Sequence, residues 1–385
     1  MRVFLSALLL FLLSASNALA VYDPALLPNN KFGIHITNEG DLDGASNLIN
    51  TNGGNWGYVT FVIQKGERDP KRWKTFFKSL RRLHLIPIVR VATTPIENHW
   101  EMPNVDEIDG WVSFLNDLSW PTQNRYVIIG NEPNHSKEWG MTISPEDYAK
   151  YLKVFSQKLK EESDKFFVLS AGFDASAPTN LKNSFAYDAT MDEVVYLRRM
   201  LAADPQAFEF VDGWNSHSYP NPGFSGSALA SGRGTVKTYL WELATLKALG
   251  VEKDFPVFIT ETGWVHPNGY EGNIKDRFKY AFENVWNDDK VVAITPFILN
   301  YEEKPFLDFS WKKKDGSFFK FYFAVKEMPK ISGDPIIEPE KILDVLPIVI
   351  PEETPAPIST PSAEVVIRKT FIEELIETFP KFNRA

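Results

Sequence analysis

Two carboxylates stand where an apolar run breaks off. In VIIGNEPNHSKEWG (127–140) an apolar stretch and a glycine lead to Glu132, and in FITETGW (258–264) a second stretch leads to Glu261. A single acid past a strand is most simply a solvated loop charge. Two acids held face to face can do more. One stays protonated to give a proton to a leaving oxygen, while the other stays ionised to attack carbon or to activate water. Glycosidic cleavage requires that division, and a carboxyl gap of about 5–5.5 Å favours a covalent intermediate and retention. Arg90, in PIVRVA (87–92), is a charge inside an apolar run and demands a partner if buried. His217 and Tyr219 lie together in NSHSYP (215–220), and Asn131 directly precedes Glu132.

The elements that must position these residues alternate. Strand patterns occur at 32–36, 57–63, 87–92, 126–131, 166–173, 211–217, 256–261 and 291–299. They are near-continuous apolar runs, as expected of parallel strands covered on both faces. Between them lie helical patterns at 69–83, 144–162, 273–288 and 318–328, the second opened by Ser144, Pro145 and Glu146 as cap, first-turn proline and dipole-facing acid. Eight strand-and-helix units predict an α/β fold, a (β/α)8 TIM barrel over about 30 to 330. A doubly wound open sheet is the weaker reading, because NGGNWG (52–57) precedes a strand instead of following one. In such a barrel the working residues sit at the C-terminal strand ends. Glu132 and Glu261 end the fourth and seventh strands, three apart around the ring, so they can face each other across the mouth.

GNEP at the end of strand four and ITETGW at the end of strand seven resemble the retaining glycoside hydrolases of clan A. ETGW is similar to family 17 enzymes acting on β-1,3-glucans, and GNEPN to families such as 5 and 39. The resemblance covers the barrel and not the tail. It implies that Glu132 is the acid/base, Glu261 the nucleophile and Asn131 the ligand of the sugar 2-hydroxyl. Through the His-x-Tyr of strand six, it implies that His217 and Tyr219 orient Glu261 and contact the sugar. Arg90, pointed into the mouth, would hold Glu261 ionised. Clan families place such an arginine on strand two, whereas this one is on strand three, and a structural ion pair is the alternative. His35 on strand one carries the same two readings. Trp264 would stack on a pyranose face, with Trp139, Trp214 and Trp311 as further candidates beside core packing.

The rest of the chain sets bounds. Met1 and Arg2, an apolar run from Val3 to Leu13 and Ala18-Leu19-Ala20 form a secretory signal, residues 1–20, too short to span a bilayer. The mature protein would start at Val21, with the catalytic barrel at 21–330. Residues 331–364 form a Pro-rich linker, and 365–385 a tail with an amphipathic helix at 365–379 that could dock on the barrel, contact a partner or lie on a cell surface. There is no cysteine, which excludes disulfides and thiolate sites, and a net charge of -9 without a basic run argues against nucleic acid. No H-E-x-x-H or close His/Asp cluster is present, so neither metal nor cofactor is expected. GFSGS (223–227) fails the nucleophile-elbow pattern. The glycosylation acceptor Asn134-His135-Ser136 would put a glycan beside Glu132 and is read as chance. The sequence thus points to a secreted, monomeric retaining hydrolase of oligo- or polysaccharides. A cell-surface transglycosylase and a non-catalytic carbohydrate-binding barrel are the alternatives.

Overall fold

The apolar runs fold into eight parallel strands, each followed by a helix, in a computed structural model that describes residues 21–182 and 188–339. The strands are β1 (Gly33–His35), β2 (Gly57–Gln64), β3 (Leu85–Ala92), β4 (Arg125–Ile129), β5 (Phe166–Leu169), β6 (Trp214–His217), β7 (Val257–Glu261) and β8 (Val291–Ile294). The helices are α1 (Leu42–Ile49), α2 (Pro70–Arg82), α3 (Ile108–Asp117) and α4 (Pro145–Glu162), then α5 (Glu193–Ala203), α6 (Thr238–Ala248), α7 (Ile274–Asn284) and α8 (Lys320–Lys326). β1 to β5 pair in order as one parallel sheet, and β6, β7 and β8 pair as another. Parallel bridges Leu169 to Gly213 and Phe32 to Ile294 join the two sheets at both edges. The ring is closed, as the eight-unit pattern predicts.

Local chemistry explains the boundaries. Ser144 accepts a hydrogen bond from the Asp147 N–H with Pro145 in the first turn, and Asp69 caps α2 ahead of Pro70 in the same way. α2 buries Trp73, Phe76, Phe77 and Leu80, the one-face spacing of a helix against a sheet. Several apolar runs outlast their strands. Past Leu169 and Ile294 the chain leaves the ladder as loops, where Phe173, Ile298 and Leu299 still bury their side chains. A short hairpin pairing Pro95–Ile96 with His99–Trp100 follows β3 and has no counterpart in the sequence pattern.

The barrel interior is layered. Tyr58, Ile86, Ile88, Tyr126, Ile128, Phe167, Leu169 and Phe258 fill its lower part with apolar bulk. Above them comes a polar layer, in which Thr60 and Thr295 share a hydrogen bond of 2.8 Å and Thr295 donates to the Thr260 carbonyl at 3.0 Å. The charged mouth lies over this floor.

The barrel holds the chain beyond the expected boundary at 330. Ser332 bridges Asn55, Ile337 bridges Thr122, and Glu338 pairs with Lys165 at 2.8 Å. The stretch 331–339 is therefore an edge of the barrel and not linker. The expected signal at 1–20 and the tail from 340 onward, with its pattern at 365–379, lie outside the described residues. Among the described residues no helix is long and apolar enough to cross a membrane.

Candidate active site

Rows of alternating side chains deliver the charges to the mouth. On β3 the inward row Ile86 and Ile88 continues, two residues on, to Arg90. On β4 the row Tyr126 and Ile128 continues through Gly130 to Glu132, beyond the strand end. Glu132 has a φ of 31°, a left-handed backbone that side chains rarely adopt. Its N–H donates to the Gly172 carbonyl at 2.9 Å, and its own carbonyl accepts from the His135 N–H at 2.8 Å, which holds it there. Alternation along β7 sends Phe258 and Thr260 inward and would send Glu261 away. The pairing of β6 with β7 slips between Ser216 and His217, and this sets Glu261 opposite His217.

The expected pair meets. One oxygen of Glu132, one of Glu261 and a ring nitrogen of His217 all lie within 4.8 Å of one another. His217 Nδ1 is 2.8 Å from Glu132 Oε1 and 3.8 Å from Glu261 Oε2. The Tyr219 hydroxyl donates to Glu261 Oε2 at 3.1 Å. Arg90 Nη1 donates to Glu261 Oε1 at 3.0 Å and also to Asn131 Oδ1. The spacing of Glu132, His217 and Glu261 would suit a cation, but these donor atoms already bond one another, Arg90 and Tyr219.

Electrostatics separate the two acids. Burial pushes the Glu261 pKa up, but the charges of His217 and Arg90, with the Tyr219 hydroxyl bond, outweigh it and hold Glu261 below its ordinary value. The Arg90 and Glu261 side chains are only 13% and 12% exposed, so solvent screens them weakly. Burial alone would lower His217, yet Glu261 and Glu132 raise it on balance. The proton in the 2.8 Å bond between His217 and Glu132 is thus held at the mouth while Glu261 stays ionised. Burial, followed by the charges of Glu261 and Glu132, drives the Tyr219 hydroxyl well up, which keeps it a donor. Burial lowers His35 to about 4, so it is uncharged at neutral pH and its charge adds to the lowering of Glu261 only in acid.

Six of the expected residues therefore gather in one place: Glu132, Glu261, Asn131, His217, Tyr219 and Arg90. His217 departs from its expected contact, since its close partner is Glu132 and not Glu261. β6 lies between β4 and β7 around the ring, so a side chain at its end can reach either acid. Trp264 is not at the mouth. It is 2% exposed, its Nε1 donates to the Gly226 carbonyl at 2.8 Å, and its ring packs on Phe278 and Trp286. Trp139, Trp214 and Trp311 are buried likewise. An aromatic row instead runs out from Tyr219, which bonds Glu261, through Phe224, Phe309, Phe297 and Phe306, successive ring centroids being 5.0–5.8 Å apart. Of these, Phe224 and Phe306 are exposed. Asn134 is fully buried, and its side-chain nitrogen donates to the Asp174 and Met191 carbonyls, which leaves no acceptor for a glycan.

Two features of the site escape sequence reasoning. Glu138, on the short turn Ser136–Glu138, accepts from Asn131 Nδ2 at 3.0 Å. His135 is gripped by Asp188 at Nδ1 (2.6 Å) and by Asp174 at Nε2 (3.0 Å). Burial would lower the His135 pKa, but the two aspartates raise it to about 10 and keep the ring charged.

No family model matches the sequence, and no curated protein matches it either. The structure is similar to a family 39 glycoside hydrolase from Bacteroides cellulosilyticus WH2, with a TM-score of 0.54, 15% identity and coverage of 80% of this chain. This chain spans 64% of that protein's length. A GH5_18 from Bifidobacterium longum subsp. infantis gives a TM-score of 0.52 at 15% identity, covering 79% of each chain. A GH128 (subgroup II) endo-β-1,3-glucanase from Sorangium cellulosum gives 0.50 at 16%, covering 79% of this chain and 98% of its own. The likeness is one of fold. This chain has the barrel that those glycoside hydrolases use.

Proposed function

We propose that this protein is a glycoside hydrolase that cleaves a β-linked glycan with retention. The observation that carries the reading is the approach of Glu132, Glu261 and His217 to within 4.8 Å at the mouth of the barrel. That spacing suits direct attack by a carboxylate, whereas inversion leaves a gap of about 6.5–9.5 Å for water. The fold shared with glycoside hydrolases of three families supports it.

In the first step an oxygen of Glu261 attacks the anomeric carbon, the glycosidic C–O bond breaks, and the proton of Glu132 passes to the departing oxygen. In the second, ionised Glu132 takes a proton from water, the water oxygen attacks the same carbon, and the ester bond to Glu261 breaks. Glu132 is again protonated and Glu261 again a carboxylate. Arg90 keeps the nucleophile ionised and Tyr219 fixes the direction of its second oxygen. Between turnovers the proton that Glu132 donates rests on His217 Nδ1, and it crosses the 2.8 Å bond to Glu132 before the first step and returns after the second. Asn131 meets the sugar 2-hydroxyl through the amide hydrogen that Glu138 does not use. Phe224 and Phe306 offer apolar faces to sugar rings in the part first assigned to Trp264. The basic start and short apolar run of residues 1–20 support export of the enzyme.

The test is chemical. On a panel of β-glucans, mannans, galactans and xylans, Glu261→Ala should lose all release of reducing ends. On a nitrophenyl glycoside, whose leaving group departs without a proton, Glu132→Ala should regain turnover with azide and yield a β-glycosyl azide. An α-azide would contradict retention. Unimpaired glycan release by Glu261→Ala would end the assignment of the nucleophile.

A further inference from the structure

Asn131 sits between two groups of opposite hydrogen-bonding character. Arg90 can only donate, and it donates to Asn131 Oδ1; on the other side Glu138 Oε2 accepts from Asn131 Nδ2 at 3.0 Å. An amide reversed about its last bond would put oxygen against carboxylate and nitrogen against guanidinium, so the pair permits one orientation. The network therefore runs unbroken from Glu261 through Arg90 and Asn131 to Glu138.

Glu138 is not an incidental surface acid. It lines a cavity of about 30 Å³ with Arg90, Asn131, Trp100 and Trp139, under the hairpin that follows β3. The Gly140 N–H donates to the Trp100 carbonyl at 3.1 Å and ties the hairpin to the loop that carries Glu138. Arg90 Nε and Trp139 Nε1 are buried there without a hydrogen-bond partner, and Glu138 is the carboxylate that lines the same polar corner and accepts from Asn131. Glu132 and Glu261 do not line this cavity but lie close enough for their charges to act on Glu138. Burial, together with their charge, brings Glu138 up to about 7 against the pull of Arg90 and the Asn131 bond.

We propose that Glu138 is a positioning residue for sugar recognition: it fixes the Asn131 amide with its nitrogen toward the substrate and so sets the contact with the sugar 2-hydroxyl. The inference rests on the glycosidase reading above. Hydrogen bonds to the 2-hydroxyl strengthen in the transition state, so an amide anchored by Arg90 alone, with its nitrogen side unheld, loses rate in proportion to that contact.

The experiment uses the full chain. A panel of nitrophenyl β-glycosides of mono- and oligosaccharides identifies the best substrate, which is then compared with its 2-deoxy counterpart. Glu138→Ala should lower kcat/KM on the 2-hydroxy substrate by about tenfold to a hundredfold, the size of a charge-assisted hydrogen bond. It should leave the 2-deoxy substrate nearly unchanged, and in an Asn131→Ala background it should have no further effect. Glu138→Gln, which keeps an acceptor, should restore most of the rate on the 2-hydroxy substrate. Glu138→Asp, which withdraws the carboxylate by one methylene, carries the same ratio test if the alanine variant does not fold. Equal slowing on both substrates, or a glutamine variant as slow as the alanine one, would overturn the role of Glu138 while leaving the glycosidase reading intact. Absence of turnover by the unmodified chain on these glycosides and on the polysaccharides would overturn that reading instead.

Discussion

Arg90→Met removes the cation nearest the proposed nucleophile while keeping an apolar stem of similar length. Nη1 of Arg90 lies 3.0 Å from Glu261 Oε1, and both side chains are nearly withdrawn from solvent. At an effective dielectric constant of about 20, unit charges about 4 Å apart interact by about 4 kcal/mol. At about 1.4 kcal/mol per pH unit, this corresponds to about three units on Glu261. Water entering the vacated space, and the His217 that remains, reduce the effect, so a rise of about one to three units is expected. The sign is fixed: Glu261 must be ionised to attack, and losing Arg90 moves its ionisation upward. The acid limb of kcat/KM, which reports the free enzyme, should therefore shift to higher pH by that amount. On the acid side the variant would be slower by about tenfold to a thousandfold, and far less so at the alkaline end. Arg90 also donates to Asn131, so Asn131→Ala serves as the control. It should slow the reaction at every pH without moving the limb. Uniform slowing of Arg90→Met with an unmoved limb would refute the electrostatic role and leave Arg90 as a geometric brace.

Tyr219→Phe deletes the 3.1 Å hydrogen bond to Glu261 Oε2 and should lower kcat by about tenfold to a hundredfold with KM little changed, as steady-state kinetics on a chromogenic glycoside can measure. Trp264→Ala opens a hole between Phe278 and Trp286 and should destabilise the fold by about 3–5 kcal/mol in urea unfolding; a selective rise in KM without lost stability would return Trp264 to the sugar site. His135 has a folded pKa of about 10, above the unfolded value of about 6.5, so its grip on Asp174 and Asp188 stabilises fully below the unfolded value and fades as pH rises through about 10. The destabilisation of His135→Leu, about 1.5–3 kcal/mol near pH 6, should shrink toward pH 10, and a difference constant across that range would contradict the charged-ring account.

What the sequence discloses is what strands carry. Arg90 and Glu132 lie on period-two rows that an apolar run makes visible, and Glu261 and His217 visibly end their strands, but alternation along β7 points Glu261 outward and only the slip in pairing between Ser216 and His217, which no local pattern announces, brings it opposite His217. Loops obey no such period. Glu138 reaches Asn131 through a turn of three residues, and His135 is held by Asp174 and Asp188 from the loop after β5. Nothing near either residue in the chain marks those partners.

Trp264 shows the opposite failure, a local signal that tertiary packing overrides. It follows Glu261 by three residues, as a sugar platform would, but Gly263 between them has a φ of 137° and turns the chain back. The indole then goes under α7 against Phe278 instead of over the cleft. A side chain larger than hydrogen at Gly263 would be strained in that conformation, so the glycine, and not the tryptophan, carries the local information. The exposed faces of the aromatic row that starts at Tyr219 belong to Phe224 and Phe306, in the segments after β6 and β8. On the proposed reading, the acids sit at strand ends and the aromatic faces on loops, so sugar preference would change through the loops without disturbing the strands that hold the acids.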